Sequence, residues 1–261
     1  MSDPAVILSE TRGASVWVSI NREERLNAIN KPVLAGIEAA FRAAAETPGI
    51  RAIILTGAGR RAFCAGADLS VGTGTFTLGL DEPMTDFGKL ARFVRELPIP
   101  LIGRINGDCI AGGMGLMSLC DLVVAADHAR FGLPEVKVGV FPMQVLVYLR
   151  SMIGARHINE MCLTAELISA ARAAEIGIAN YVVPYDELDA RVAALVTRLG
   201  AMSPIAIRRG KYAIAAMQNM AFPEALAFAE QLIAVTSLTS DAAEGLAAFN
   251  EKRAPAWKDS K

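Results

Sequence analysis

The sequence predicts a mixed α/β core followed by a helical C-terminal region, and three observations carry that prediction. Residues 15–20 alternate, with Val16, Val18 and Ile20 on one face, and residues 51–56 form a continuous apolar run; a helical stretch, 31–46, lies between them. A strand, a helix and a second strand in that order demand a crossover connection. A second such unit organises the middle of the chain: strand 101–105, a Gly-rich turn, an apolar helix over 114–120 and strand 121–126. From residue 186 the pattern is helical almost throughout, which divides the chain into 1–185 and 186–261.

The elements follow in order. Residues 15–20 read as a half-buried strand, and a polar turn spans 21–26. Helix 31–46 has Pro32 in its first turn, apolar positions at Val33, Leu34, Ile37, Ala40 and Phe41, and a stop at Pro48-Gly49. The strand over 51–56 is of the fully buried kind. A basic turn, 57–61, leads into Phe63-Cys64-Ala65-Gly66-Ala67-Asp68-Leu69, whose small residues leave backbone N–H groups uncovered. Residues 70–86 are rich in Gly and Thr, as expected of a specificity loop. Helix 87–96 ends before Pro98. After Glu135 come a helix over 143–152 capped by Gly154, helices over 156–164 and 169–176, and a strand at 181–183. Ser203-Pro204 and Phe222-Pro223 each read as a helix start.

Composition narrows the function classes. The 261 residues are 53% hydrophobic and 20% charged with a formal net charge of -1, so there is neither a basic footprint for nucleic acid nor an acidic tail. No apolar run is long enough to cross a bilayer and residues 1–10 lack a signal-peptide pattern, so a cytoplasmic location and no membrane partner are expected. Cys64, Cys109, Cys120 and Cys162 stand far apart among apolar neighbours, which predicts buried reduced thiols rather than disulfides or a metal site. His128 and His157 lack any triad pattern.

The turn at Asn106, Gly107 and Ala111-Gly112-Gly113 is the chemically suggestive feature. Glycines let the backbone approach a ligand, and free N–H groups at a helix start favour an anion, or an oxygen that becomes one during reaction. A tight turn before a buried helix gives the same pattern. The 65–67 turn offers a second donor, with the same alternative.

Together these motifs resemble the enoyl-CoA hydratase/isomerase family, the crotonase superfamily. The similar stretches are 21–29 (Asn-Arg…Leu-Asn-Ala), 62–69 (Ala-Phe-Cys-Ala-Gly-Ala-Asp-Leu), 105–121 (Asn-Gly…Ala-Gly-Gly…Cys-Asp) and 131–139 (Phe-Gly-Leu-Pro-Glu…Gly), then 163–184 and the tail 244–258. The resemblance implies a spiral core of ββα turns with a helical C-terminal domain that assembles homotrimers, often paired as dimers of trimers. It implies that the N–H groups of Ala67 and Gly112 hold an acyl-CoA thioester oxygen and that Glu135 is the catalytic carboxylate. It further implies that Arg25, Leu26, Ala28, Ala65, Asp68, Leu69 and Lys252 serve the coenzyme A portion. No metal or redox cofactor is implied; coenzyme A arrives with the substrate.

One departure bears on mechanism. Hydratases of this family commonly hold water between two glutamates, and the position matching the first is Gly115. Hydration needs one group to activate water while a proton reaches Cα, whereas moving a double bond needs only one base. Glu135 alone therefore fits an isomerase or a decarboxylase as well as a hydratase, and a non-catalytic acyl-CoA scaffold is a further alternative. Asp81, Glu82 or Asp86 are candidate substitutes for the missing carboxylate. Gln144, beside Met143 where relatives carry small glycine-rich sequence, is a candidate to orient water.

Overall fold

A computed structural model describes residues 5–70, 72 and 83–257. Strands β1 (Ile7–Arg12) and β2 (Ser15–Ile20) form an antiparallel hairpin, and α1 (Lys31–Glu46) follows. Three passes then repeat one pattern, each laying a strand in a large sheet and the next strand in a small one. They are β3 (Ala52–Gly57) with β4 (Ala62–Cys64), β5 (Leu101–Ile105) with β6 (Asp108–Ile110), and β7 (Leu122–Ala126) with β8 (Arg130–Gly132). Helices α2 (Asp86–Glu96), α3 (Gly112–Ser118) and α4 (Met143–Leu149) lie after the successive passes. Next come α5 (Ala155–Thr164), β9 (Ile168–Ser169), α6 (Ala170–Glu175) and β10 (Tyr181–Val183). The large sheet has the order β1-β2-β3-β5-β7-β10 and the small one β4-β6-β8-β9.

Sequence explains the sheet order. Strands β3, β5 and β7 are nearly continuous apolar runs, and they pair in parallel at the centre of the large sheet, buried on both faces. Strand β2 is buried almost throughout rather than on one face, because Trp17 is sealed by the Arg12 guanidinium 4.3 Å from its ring centroid. Helix α1 turns Val33, Leu34, Ile37, Phe41 and Ala44 inward, and Asn30 caps it by accepting from the Val33 N–H at 3.1 Å. Strand β1 escapes the sequence pattern because it is largely exposed and polar. Strands β4, β6, β8 and β9 escape it because two or three residues carry no readable period.

Other boundaries shift slightly. Helix α3 begins at Gly112 rather than 114, and α4 stops at Leu149, so that Gly154 serves as the N-cap residue of α5 and not as a cap on α4. Helix α6 is shorter than the 169–176 reading, since Ser169 belongs to β9 and accepts from the Arg172 N–H at 3.2 Å.

The helical end has two parts by packing. Helix α7 (Leu188–Gly200) lies on β5 and β7 and buries Leu188, Val192 and Leu195 in the core. Helices α8 (Pro204–Met217), α9 (Phe222–Ser237) and α10 (Ser240–Glu251) pack on one another, and α8 touches α2. Neither α8 nor α9 buries any residue fully, while Phe222, Leu238 and Phe249 are 77%, 85% and 81% exposed. No single helix among the described residues is long and apolar enough to cross a membrane.

Candidate active site

Strands β4, β6 and β8 run parallel in the small sheet, so their C-terminal ends lie side by side. The chain leaving β4 carries Ala67, that leaving β6 carries Gly112, and that leaving β8 carries Glu135. Ligand sites form at the carboxyl ends of parallel strands because each strand delivers a different loop to one place. The three residues that the resemblance marks as catalytic thus converge by topology, although the first and last stand 68 positions apart.

The first two turns are in contact. A Cβ built on Gly112 would stand 3.5 Å from the Ala67 nitrogen, and one built on Gly66 would stand 3.4 Å from the Gly112 nitrogen. Ala67 forms an isolated parallel bridge with Ile29, in which the Ile29 N–H donates to the Gly66 carbonyl and the Asp68 N–H to the Ile29 carbonyl, each at 2.8 Å. In a parallel bridge the central residue turns its own N–H away from its partner, so the Ala67 N–H points away from Ile29. Gly112 opens α3, and its N–H has no acceptor within the helix. Among the described residues neither N–H has an acceptor.

Backbone strain aims the second donor. Ala111 holds φ +53° and ψ −121°, a conformation costing about 1–3 kcal/mol in a non-glycine residue. That rotation carries the 111–112 peptide out of helical alignment and fixes where the Gly112 N–H points. Two glycines make the approach possible. Gly113 packs so closely that a Cβ would come within 2.2 Å of the Cys64 carbonyl oxygen, and Gly66 combines φ +104° with a Cβ position only 2.8 Å from the Ala111 methyl.

Polar anchors hold the turns from below. Asn27, buried and at φ +57°, accepts from the Arg22 N–H (3.1 Å) and donates to the carbonyls of Ala58 (3.0 Å) and Ala62 (2.8 Å). Asn106, also buried, donates to Gly59 and Ala62 and accepts from the Gly57 N–H. Sequence reasoning gave neither asparagine this role; each sits beside a glycine or in a turn motif, which is the signal available. Asn27→Ala leaves the Ala58 carbonyl and the Arg22 N–H without partners, so a loss of about 2–4 kcal/mol is expected in urea unfolding.

The residues assigned to the coenzyme A portion are largely gathered here. The Ala65 N–H donates to the Leu26 carbonyl at 3.0 Å, and Arg22 donates to the Ala28 carbonyl (2.6 Å) and to Asp68 (2.8 Å). Hydrogen bonding by the Arg22 guanidinium holds the Asp68 carboxyl down at about 2. The Asp68 side chain is thereby engaged with Arg22, a residue the sequence reading passed over. Leu69 and Arg25 are exposed at the rim, and Arg25 has no ion pair among the described residues. Lys252 stands apart as the C-cap of α10, whose packing partners are α8 and α9.

Glu135 occupies the first turn of a 3-10 helix, Pro134–Val138, three residues beyond Gly132, whose carbonyl accepts from the Ala111 N–H at 2.9 Å. That bond ties the glutamate's segment to the 111–112 turn. Its Oε2 is buried and has no hydrogen-bond partner among the described residues. Burial pushes the carboxyl up to about 6. A carboxylate with one unpartnered oxygen and a raised pKa is poised to exchange a proton near neutrality.

Cys64 and His128 lie outside this chemistry. All four cysteines are free and buried, and burial pushes the Cys64 thiol up to about 12; its sulfur instead accepts the Gly66 N–H at 3.4 Å and braces the turn. His128 sits before β8, at the opposite end of that strand from Glu135.

Residues 10–260 match the family model described as enoyl-CoA hydratase/isomerase. This chain belongs to the enoyl-CoA hydratase/isomerase family. It is 36% identical over 244 residues to "Probable enoyl-CoA hydratase echA8" of Mycobacterium bovis, covering 91% of this chain and 92% of that protein. It is 34% identical over 248 residues to the 2,3-dehydroadipyl-CoA hydratase of Escherichia coli, covering 92% and 94%. A crystal structure of enoyl-CoA hydratase from Bacillus anthracis superposes with a TM-score of 0.89 at 31% identity, over 98% of this chain and all of that one. The two-sheet spiral with its C-terminal helices is thus the crotonase fold.

An aromatic ring stands against Gly115. Gly115 is buried, and a Cβ there would lie 3.0 and 3.1 Å from Cζ and Cε2 of Phe87 and 3.2 Å from a Val145 methyl. The Phe87 ring tip therefore rests on the α3 backbone. Sequence reasoning saw the glycine but not the phenylalanine, because residues 87 and 115 meet only in the fold. The candidate substitutes are engaged or out of view. Gln144 donates to Thr85 Oγ1 at 2.5 Å, so it is a strut to α2 rather than a free water-orienting group. Asp86 opens α2 and lies 3.6 Å from Lys89. Asp81 and Glu82 fall outside the described residues.

Proposed function

We propose that this chain is an acyl-CoA enzyme that shifts a proton along an enolate with one carboxylate, as a Δ3-Δ2 enoyl-CoA isomerase does. The observation that carries the proposal is the Phe87 ring tip on Gly115, which leaves no room for a carboxylate at that position, together with Glu135, whose buried Oε2 has no hydrogen-bond partner among the described residues. The thioester oxygen accepts from the Ala67 and Gly112 N–H groups. Glu135 takes a proton from C2 of a 3-enoyl-CoA, and the electron pair moves onto the thioester oxygen as an enolate. The same carboxyl returns the proton to C4 while the double bond reforms between C2 and C3. Each N–H is worth about 3 kcal/mol on the enolate oxygen, because it is fixed in place before charge develops.

The 22–29 and 65–69 segments, with Arg25 at the rim, receive the coenzyme A portion in this reading. Lys252 serves its nucleotide end, reached from a neighbouring subunit. Self-association is supported by the apolar side chains left uncovered on α8 to α10, among them Tyr212, Ile214, Phe222, Ile233, Leu238 and Phe249, a patch of the kind that marks an interface. A homotrimer or a dimer of trimers is the proposed assembly.

Hydration is the second reading, favoured by relatives that are named hydratases. The test follows conjugated thioester absorbance with crotonyl-CoA and, separately, a 3-enoyl-CoA. A gain of absorbance with the 3-enoyl substrate, at a rate about 10²-fold or more above any loss with crotonyl-CoA, is expected. Faster loss with crotonyl-CoA overturns isomerisation in favour of hydration. Binding of both thioesters without change in either makes the chain a scaffold.

A further inference from the structure

We infer that Phe87 closes the acyl compartment one helical turn beyond the thioester and so restricts the enzyme to short, apolar acyl groups. The inference rests on the acyl-CoA reading above and adds the substrate class. Gly112 and Gly115 are three residues apart on α3 and therefore share a helix face. An acyl group whose thioester oxygen sits on the Gly112 N–H must pass over Gly115 to extend along that face. The three-residue rise is about 4.5 Å, the reach of roughly four carbons, before the Phe87 ring is met.

The ring is held in place from both sides. Thr85, the N-cap of α2, receives the Gln144 amide at 2.5 Å as well as the Gly88 N–H, and Tyr148 donates to the Ala91 carbonyl at 3.1 Å. Gln144 and Tyr148 are four residues apart on one face of α4, so they grip α2 on either side of Phe87, and Val145 between them touches the same spot above Gly115. Leu90, Ala91 and Val94 bury the inner face of α2 behind it. Swinging the ring aside would require α2 to release α4. The groups nearest Gly115 are apolar, Phe87 and Val145, so an apolar acyl end is matched there.

The test is a calorimetric titration of butyryl-, hexanoyl-, octanoyl- and decanoyl-CoA, saturated so that binding is read apart from turnover, against the wild type, Phe87→Ala and Phe87→Leu. The expected wild-type series weakens at least tenfold from butyryl to decanoyl. In Phe87→Ala the order reverses, with decanoyl bound at least tenfold more tightly than by the wild type and butyryl little changed. Phe87→Leu, which keeps the wall at lower volume, falls between them and serves if the alanine variant unfolds. Equal length dependence in wild type and folded variants overturns the assignment of Phe87. Absence of binding to every acyl-CoA overturns both this inference and the acyl-CoA reading, and binding with the wrong length dependence overturns this inference alone.

Discussion

Glu135→Gln is expected to lower turnover of a 3-enoyl-CoA by about 10²-fold or more while leaving acyl-CoA affinity nearly unchanged. Gln fills the same volume near Cys162 but accepts no proton, so the loss falls on kcat rather than on KM. The wild-type kcat/KM should rise with pH through a single ionisation near 6, where burial has pushed the carboxyl, and level off above it as the base form fills. The variant should lack that limb. A variant that keeps both the rate and the pH limb removes Glu135 from the mechanism.

The same substitution carries a stability signature of opposite sense. The folded carboxyl titrates near 6 against an ordinary value of 4.5, so between those values the folded chain holds more proton than the unfolded one. Stability from this group is complete below about 4.5 and is lost as pH climbs through 6, because the buried Oε2 must then carry charge without a partner. Gln escapes that loss. Glu135→Gln should therefore be more stable than wild type above pH 6, by on the order of 1 kcal/mol after allowing for the group's partial exposure, and indistinguishable below pH 4.5. Urea unfolding at pH 4.5 and 7.5 reads the difference, and a variant less stable at pH 7.5 would show the carboxylate to be structural.

Gly66→Ala should damage catalysis while leaving every catalytic side chain intact. The new methyl meets the Ala111 methyl at 2.8 Å in a backbone at φ +104°, and the neighbour that must yield carries the Gly112 N–H. Misaiming one donor of an oxyanion pair costs about 10²–10³ in kcat, with stability falling by about 1–3 kcal/mol from the strained φ. Gly13→Ala separates the two effects. Gly13 also has positive φ, +56°, but a Cβ there meets nothing within 4 Å, so it should lose stability and keep kcat. If both variants keep kcat, the 66–67 and 111–112 turns do not form the donor pair.

The periodic elements and the motif-bearing turns were legible in the chain. Helix α1 with Pro32 in its first turn, the apolar strands β3, β5 and β7, and the glycine-bearing turns at 65–67 and 111–113 all carry local signals: a period, a breaker, or a residue type that only certain backbones accept. Strands β4, β6 and β8 carry none, since three residues complete barely one period of pleat and their pairing partners lie far away in the sequence. Yet those strands bring Ala67, Gly112 and Glu135 together. The helical end shows the same division. Its helices are plain in the sequence, but that α7 belongs with the sheet while α8 and α9 leave apolar faces uncovered is decided by packing.

By itself, then, the sequence determined an α/β core with a helical end, two glycine-bearing turns, and the positions of Glu135 and Gly115, because each is written in a local residue choice. Only the tertiary structure decided that the turns touch, that Glu135 Oε2 is buried without a partner among the described residues, and that Phe87 lies against Gly115. Those properties arise from contacts between residues tens of positions apart, and burial, strain and excluded volume exist only once the strands have paired.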